Sequence, residues 1–246
     1  MRASERTPFA VKGFQPLTAR VFYHISTFFL NSFGAKEVEF GRNLWYAMFE
    51  VLLGMNEIEK NGCPQRRACG GCQLQNMSYA EQLLYKQKKE VSLLGRFGHV
   101  EEIMGMDHPL HYRNKVHAAF GLDRNRRVVS GIYQPGSHAI VPVDACMIED
   151  ELADKIIVSI RKLLPAFKIQ VYDERSGSGW LRHVLVRRGF ATGQVMVVLV
   201  AVSPIFKLQK PFLAKLLTLH PEISTVVLNI NDRFGPVVLG RRGRGV

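Results

Sequence analysis

The sequence predicts an α+β fold: a mainly antiparallel sheet with two to three helices and a cysteine-rich loop ahead of it. Three observations carry that expectation. Strand-like apolar runs come in pairs joined by short turn sequences, as in "HAAFGLDRNRRVVSGIY" and "VLVRRGFATGQVMVVLV". Helical spacing of apolar residues occurs in only two or three segments, too few for an alternating β–α chain. Three of the four cysteines, Cys63, Cys69 and Cys72, crowd into one short stretch around a Gly-Gly pair.

The chain has 246 residues. Residues 1–54 mix aromatics and charges without a sustained period, which marks them as a poorly ordered extension, with Met55 as a candidate natural start. Their most apolar run, "VFYHISTFFL" at 21–30, contains His24, Ser26 and Thr27 and is shorter than the roughly 20 apolar residues a membrane span needs. No small-residue cleavage site follows it, so a signal peptide is not expected, and the default compartment is the reducing cytoplasm. From Ser78 the elements sharpen. "SYAE" is a capping box that opens a helix running to about Leu94. "RNKVHAAFGL" alternates, so Val116, Ala118 and Phe120 share one face of a strand and Arg113, Lys115 and His117 the other. "DRNR" turns the chain into a second strand, "RVVSGIYQ", and "AIVPV" is a short third. A helix from about Glu149 ends at Pro165, and strands follow at "FKIQVYD", "GWLRHVLVRR", "GQVMVVLVAV" and "ISTVVLNIN". "LQKPFLAKLLTLH" is the helix before the last strand. "GRRGRG" carries glycines but has no helix after it to make a phosphate loop.

A net charge of +12 and 47% apolar content describe a chain that can fill a core and is biased toward polyanionic partners. Nucleic acid fits better than membrane, because no basic amphipathic anchor is evident. The cysteine spacing is C-x5-C-x2-C, with Cys146 lying 74 residues beyond Cys72. In a reducing compartment such thiols point to metal. A cubane iron–sulfur cluster needs four thiolates from different directions, and three from one loop plus one from afar meet that need. Zinc also takes four thiolates but favours two short C-x2–4-C pairs, so the spacing favours iron–sulfur and leaves zinc as the rival. Arg66 and Arg67 within the loop could offset a cluster's negative charge.

Four stretches, "CPQRRACGGCQLQNMSYAEQLLYKQ", "HYRNKVHAAFG", "GIYQPGSHAIVPVDACMIED" and "SGWLRHVLVRRG", together resemble the RNA 5-methyluridine methyltransferase family, most closely its 23S rRNA (uracil-C5) methyltransferases. The resemblance implies that Cys63, Cys69, Cys72 and Cys146 are ligands of a [4Fe–4S] cluster, that residues 55–240 form the family's central iron–sulfur and RNA-binding domain, and that the partner is RNA, with 23S rRNA the expected target. It also implies S-adenosylmethionine as cofactor of the full-length enzyme, bound by a C-terminal Rossmann-like domain. Residues 1–54 lack the pattern of the family's N-terminal β-barrel. Residues 241–246 read as the start of a link to a methyltransferase domain that is missing or separately encoded. That domain carries the family's nucleophilic cysteine, and all four cysteines here are assigned to the cluster. The expectation is therefore no catalytic or S-adenosylmethionine-binding residue in this chain, and no methyl transfer by it alone.

RNA recognition by such a domain rests on Lys and Arg for phosphates and aromatics for unpaired bases. The candidates are Arg113, Lys115, His117, Arg182, Arg187 and Arg188, with Arg113 and Lys115 foremost because "YRNKV" belongs to the resemblance. Two other classes stand beside this one: a stand-alone iron–sulfur or zinc module that binds nucleic acid without catalysis, and a redox carrier.

Overall fold

In a computed structural model, the structure describes residues 62–233, 235 and 237–246. The expectations for residues 1–54 and for Met55 lie outside the described residues. The sheet has seven strands: β1 (Lys115–Leu122), β2 (Val128–Tyr133), β3 (Ile140–Pro142), β4 (Leu181–Arg188), β5 (Val195–Ala201), β6 (Ile223–Ile230) and β7 (Arg242–Gly245). Their order is β3-β2-β1-β4-β5-β6-β7. Every neighbouring pair is antiparallel except β5 and β6, which are parallel and joined by a helical crossover. Among the described residues the helices are α1 (Tyr79–Leu94), α2 (Glu151–Ala166) and α3 (Gln209–Leu219).

The α+β expectation matches this architecture, and the physical causes are local. Ser78 caps α1 through the expected capping box, its hydroxyl accepting from the Glu81 amide while the Glu81 carboxylate takes the Ser78 N–H. In α2 the apolar residues Ala153, Ile156, Ile157, Ile160, Leu163 and Leu164 recur at helical spacing and are all buried. They meet Val116, Ala118, Phe120, Val184 and Val186 of the sheet, and Phe212 and Leu216 of α3 complete the core. Burying each such side chain contributes about 1.5–3 kcal/mol, so this one face of the sheet holds most of the stabilisation. α1 buries none of its residues. It is tied instead to the segment after it, where the Gln87 carboxamide bonds Glu101 O and Ile103 N at 3.1 and 2.7 Å.

Two local expectations are corrected. Pro165 does not stop α2 but sits in its last turn. The helix ends through a Schellman closure, with Ile169 N bonding Leu164 O, Lys168 N bonding Pro165 O, and Lys168 in the left-handed region at φ 53°. "FKIQVYD" forms no strand, only single bridges from Val171 to Leu181 and from Asp173 to Ser178. Asp173 captures Arg175 N and Ser176 Oγ with its carboxylate and turns the chain back at once. At Gly179, φ is 102° and a Cβ would run into the Val171 carbonyl, so the return is tight enough to require glycine. Arg242–Gly245 pairs with β6 as an edge strand, and Val246 N bonds Val226 O at 3.0 Å.

Candidate functional site

The loop bearing Cys63, Cys69 and Cys72 holds its own shape. Arg66 N donates to Cys63 O, while Ala68 N and Cys69 N both donate to Gln65 O. Gln75 fastens it from outside, its Nε2 donating to Arg66 O at 3.0 Å. The loop docks on the "QPGSH" turn that follows β2: Gly70 lies so close to the Pro135 ring that a Cβ would collide with it.

All four cysteines are free, half-buried thiols. Backbone amides are aimed at their sulfurs. Gly71 N donates to Cys69 Sγ at 3.3 Å, and the amides of Ile148 and Glu149 donate to the Cys146 sulfur. Burial pushes the Cys146 thiol up to about 11 and also raises Cys72, where nearby Arg113 opposes the shift and the charges of Cys69 and Cys63 add to it. Cys72 and Cys146 share Glu149 as a neighbour. The fold thus brings the two ends of the long sequence gap into one neighbourhood.

Sequence reasoning missed the acid pair beside Cys146. Asp154 Oδ2 accepts from Cys146 N at 2.7 Å. Burial, and then the charge of Asp154, hold Glu149 well above the usual carboxylate range, and Glu149 donates a hydrogen bond to Asp154. The only signal was "CMIEDELAD", where acids are equally at home as ordinary first-turn helix residues.

The donor set has the chemistry of a thiolate-held inorganic group: four soft sulfurs, amides directed at sulfur, and a guanidinium that offsets negative charge. Among the described residues, no three His, Cys, Asp or Glu side chains gather so as to hold a single metal ion.

The sequence-predicted RNA contacts separate into two groups. Lys115 and Arg187 are exposed and stand directly opposite each other on β1 and β4, on the face away from α2 and α3. The other four are less exposed and lie among contacts within the fold. Arg113 lies before β1, half-buried, with its amide on Ile148 O and its carbonyl taking Asp150 N. His117 is largely buried, its ring 4.9 Å from that of His183, and burial lowers its pKa. Arg182 is buried and donates to the carbonyls of Arg233 and Asn231. Arg188 pairs with the buried Asp150 at 2.9 Å. Alternation had put Arg113, Lys115 and His117 on one open face; pairing of the segment before β1 with residues 148–150 takes Arg113 out of that row.

No family model matches the chain. Among curated proteins it is similar to an uncharacterized RNA methyltransferase of Clostridium tetani, 40% identical over 183 residues, which is 73% of this chain and 40% of the relative. A second, from Halalkalibacterium halodurans, is 38% identical over 183 residues, 72% of this chain and 40% of the relative. A third, from Staphylococcus aureus, is 30% identical over 200 residues, 78% and 44% of the respective chains. The chain therefore spans less than half the length of these relatives. Among solved structures it is similar to the Pyrococcus abyssi tRNA (uracil-54, C5)-methyltransferase in complex with S-adenosyl-L-homocysteine, with a TM-score of 0.56, 24% identity, and coverage of 75% of this chain and 42% of that chain. That likeness shows a shared fold.

Proposed function

We propose that this chain is the RNA-binding, cysteine-cluster part of an RNA (uracil-C5) methyltransferase that acts on 23S rRNA. The observation that carries the reading is the 40% identity, over 183 residues, to a protein named an RNA methyltransferase. The architecture supports it: a sheet backed by helices on one face, with the uncompensated cations Lys115 and Arg187 on the other. In the whole enzyme, S-adenosylmethionine supplies the methyl group.

Cys63, Cys69, Cys72 and Cys146 would hold a [4Fe–4S] cluster, whose contribution is a four-point tie between the loop and the segment leading into α2. The chain's own groups prepare that tie. Gly71, Ile148 and Glu149 amides stabilise thiolate sulfur, Arg113 lowers the cost of charge at Cys72, and Asp154 fixes the backbone at Cys146. Lys115 and Arg187 hold RNA phosphates.

Fluorescence anisotropy against a 23S rRNA fragment and a tRNA transcript over a salt series tests the reading. The expected result is affinity for the rRNA fragment that weakens linearly on log–log axes as salt rises. Equal affinity for both RNAs would remove the ribosomal assignment, and no affinity at low salt would overturn RNA binding altogether.

A further inference from the structure

Between the cysteine loop and the first turn of α1 lies a cleft of about 640 Å³, lined by Arg66, Arg67, Gln75, Asn76, Ser78 and Glu81 among others. Its volume falls within the range of small-ligand sites, about 300–1,000 Å³, but its wall is polar where such sites are mostly apolar. A polar, charged occupant suits it.

The charges identify the occupant's sign. Arg66 and Arg67 are exposed, and among the described residues neither makes an ion pair. The one acid in the wall, Glu81, is already engaged: its Oε2 accepts from Ser78 N at 2.8 Å and from Ser78 Oγ at 2.9 Å. Two guanidiniums against the one Glu81 carboxylate leave the wall net positive, and guanidinium is the group best shaped for phosphate oxygens. The carboxamides narrow the class further. Gln75 is pinned by its bond to Arg66 O, and Asn76 is exposed with no side-chain hydrogen bond among the described residues. A carboxamide presents a donor beside an acceptor, which is what the edge of an unpaired base requires.

We infer that this cleft binds an unpaired nucleotide of single-stranded RNA, with its phosphates on Arg66 and Arg67 and its base edge on Asn76 and Gln75. The inference rests on the RNA-binding reading above and goes beyond it in naming a second contact region, remote in sequence from Lys115 and Arg187. It also gives the cysteine loop a direct role. Arg66 and Arg67 project from the hydrogen-bonded turn between Cys63 and Cys69, so whatever fixes the cysteines fixes the two guanidiniums. An acidic peptide could satisfy the arginines and its backbone the carboxamides, so RNA is favoured because it is the partner the RNA-binding reading already assigns.

The test uses the full chain purified without oxygen. A short single-stranded RNA carrying 4-thiouridine is photocrosslinked to it and the adduct is located by mass spectrometry. In parallel, the salt dependence of anisotropy is compared between wild type and an Arg66→Gln/Arg67→Gln variant. The expected results are crosslinks at residues 75–77, a binding slope flatter by about 1.4 (two phosphate contacts at roughly 0.7 each), and affinity lower by about tenfold at physiological salt. Crosslinks confined to other segments of wild type would overturn the inference even if the variant failed to fold. So would an unchanged slope in a folded variant, or displacement of nothing but an acidic peptide from the cleft. Wild type that binds RNA while the variant binds equally well removes the cleft alone, whereas wild type that binds no RNA removes the parent reading too.

Discussion

Lys115 on β1 faces Arg187 on β4 across the strand pair, both exposed, and among the described residues neither has a carboxylate partner. Like charges directly opposite each other destabilise a sheet, so replacing Lys115 with Glu should stabilise the protein while harming its function. With charged tips about 7 Å apart in water, the repulsion is about 0.6 kcal/mol, and a Debye length of about 8 Å cuts it to about 0.25 kcal/mol at physiological salt. Lys115→Glu turns repulsion into attraction and so changes stability by twice that, about 0.5 kcal/mol at physiological salt and about 1 kcal/mol at low salt. For a domain of this size the melting temperature rises by about 1–2 °C and 2–4 °C respectively. RNA binding moves the other way, with affinity down roughly tenfold and the salt slope flatter by about 0.7 to 0.9. Thermal unfolding and anisotropy at two salt concentrations read both quantities on one sample. A lower melting temperature would refute the repulsion between Lys115 and Arg187, and unchanged RNA affinity would refute the assignment of this pair as a phosphate contact.

Gly70→Ala drives a methyl group into the Pro135 ring, and overpacking of this kind costs about 1–3 kcal/mol, so denaturant melts should shift to lower denaturant. Asp150 caps α2 through Ala153 N at 3.1 Å and pairs with Arg188 at 2.9 Å while almost wholly buried, so Asp150→Ala should cost about 3 kcal/mol in urea unfolding and Asp150→Asn less, because the amide oxygen keeps the cap. His183 is buried beside His117, Tyr133 and Arg182, and burial, then the charges of His117 and Arg182, lower its pKa to about 3 from an ordinary 6.5. The unfolded chain then takes up the proton first, so stability is lost as pH falls below 6.5, by about 2 kcal/mol at pH 5. His183→Gln should remove the His183 share of that loss and leave the share of buried His117, so the variant loses less stability than wild type in chemical denaturation from pH 7 to pH 5.

Much of the fold was legible because its determinants are short-range. The capping box at Ser78, the turns at "DRNR" and "GFATG", and the apolar spacing of α2 each act within a few residues. What sequence reading missed depends on distant partners. "FKIQVYD" has the composition of a strand, yet the Asp173 turn folds it back before a ladder can form. The basic residues of β4 looked alike in the sequence, but Arg182 is buried and reaches carbonyls about fifty positions away, while Arg187 is exposed between Lys115 of β1 and Met196 of β5. The same holds at the cysteines. Their spacing pointed to a shared site, but the Glu149–Asp154 pair and the amides directed at sulfur depend on how α2 seats beside the loop.

Metal analysis of anaerobically purified protein is the most direct test of the proposed site. If Cys63, Cys69, Cys72 and Cys146 bind one cluster that fastens the loop to the start of α2, wild type will carry about four iron and four sulfide per chain, and Cys146→Ser will lose iron, loop protection and RNA affinity together. Colourless protein holding one zinc, or a Cys146→Ser variant with its full iron complement, would contradict it.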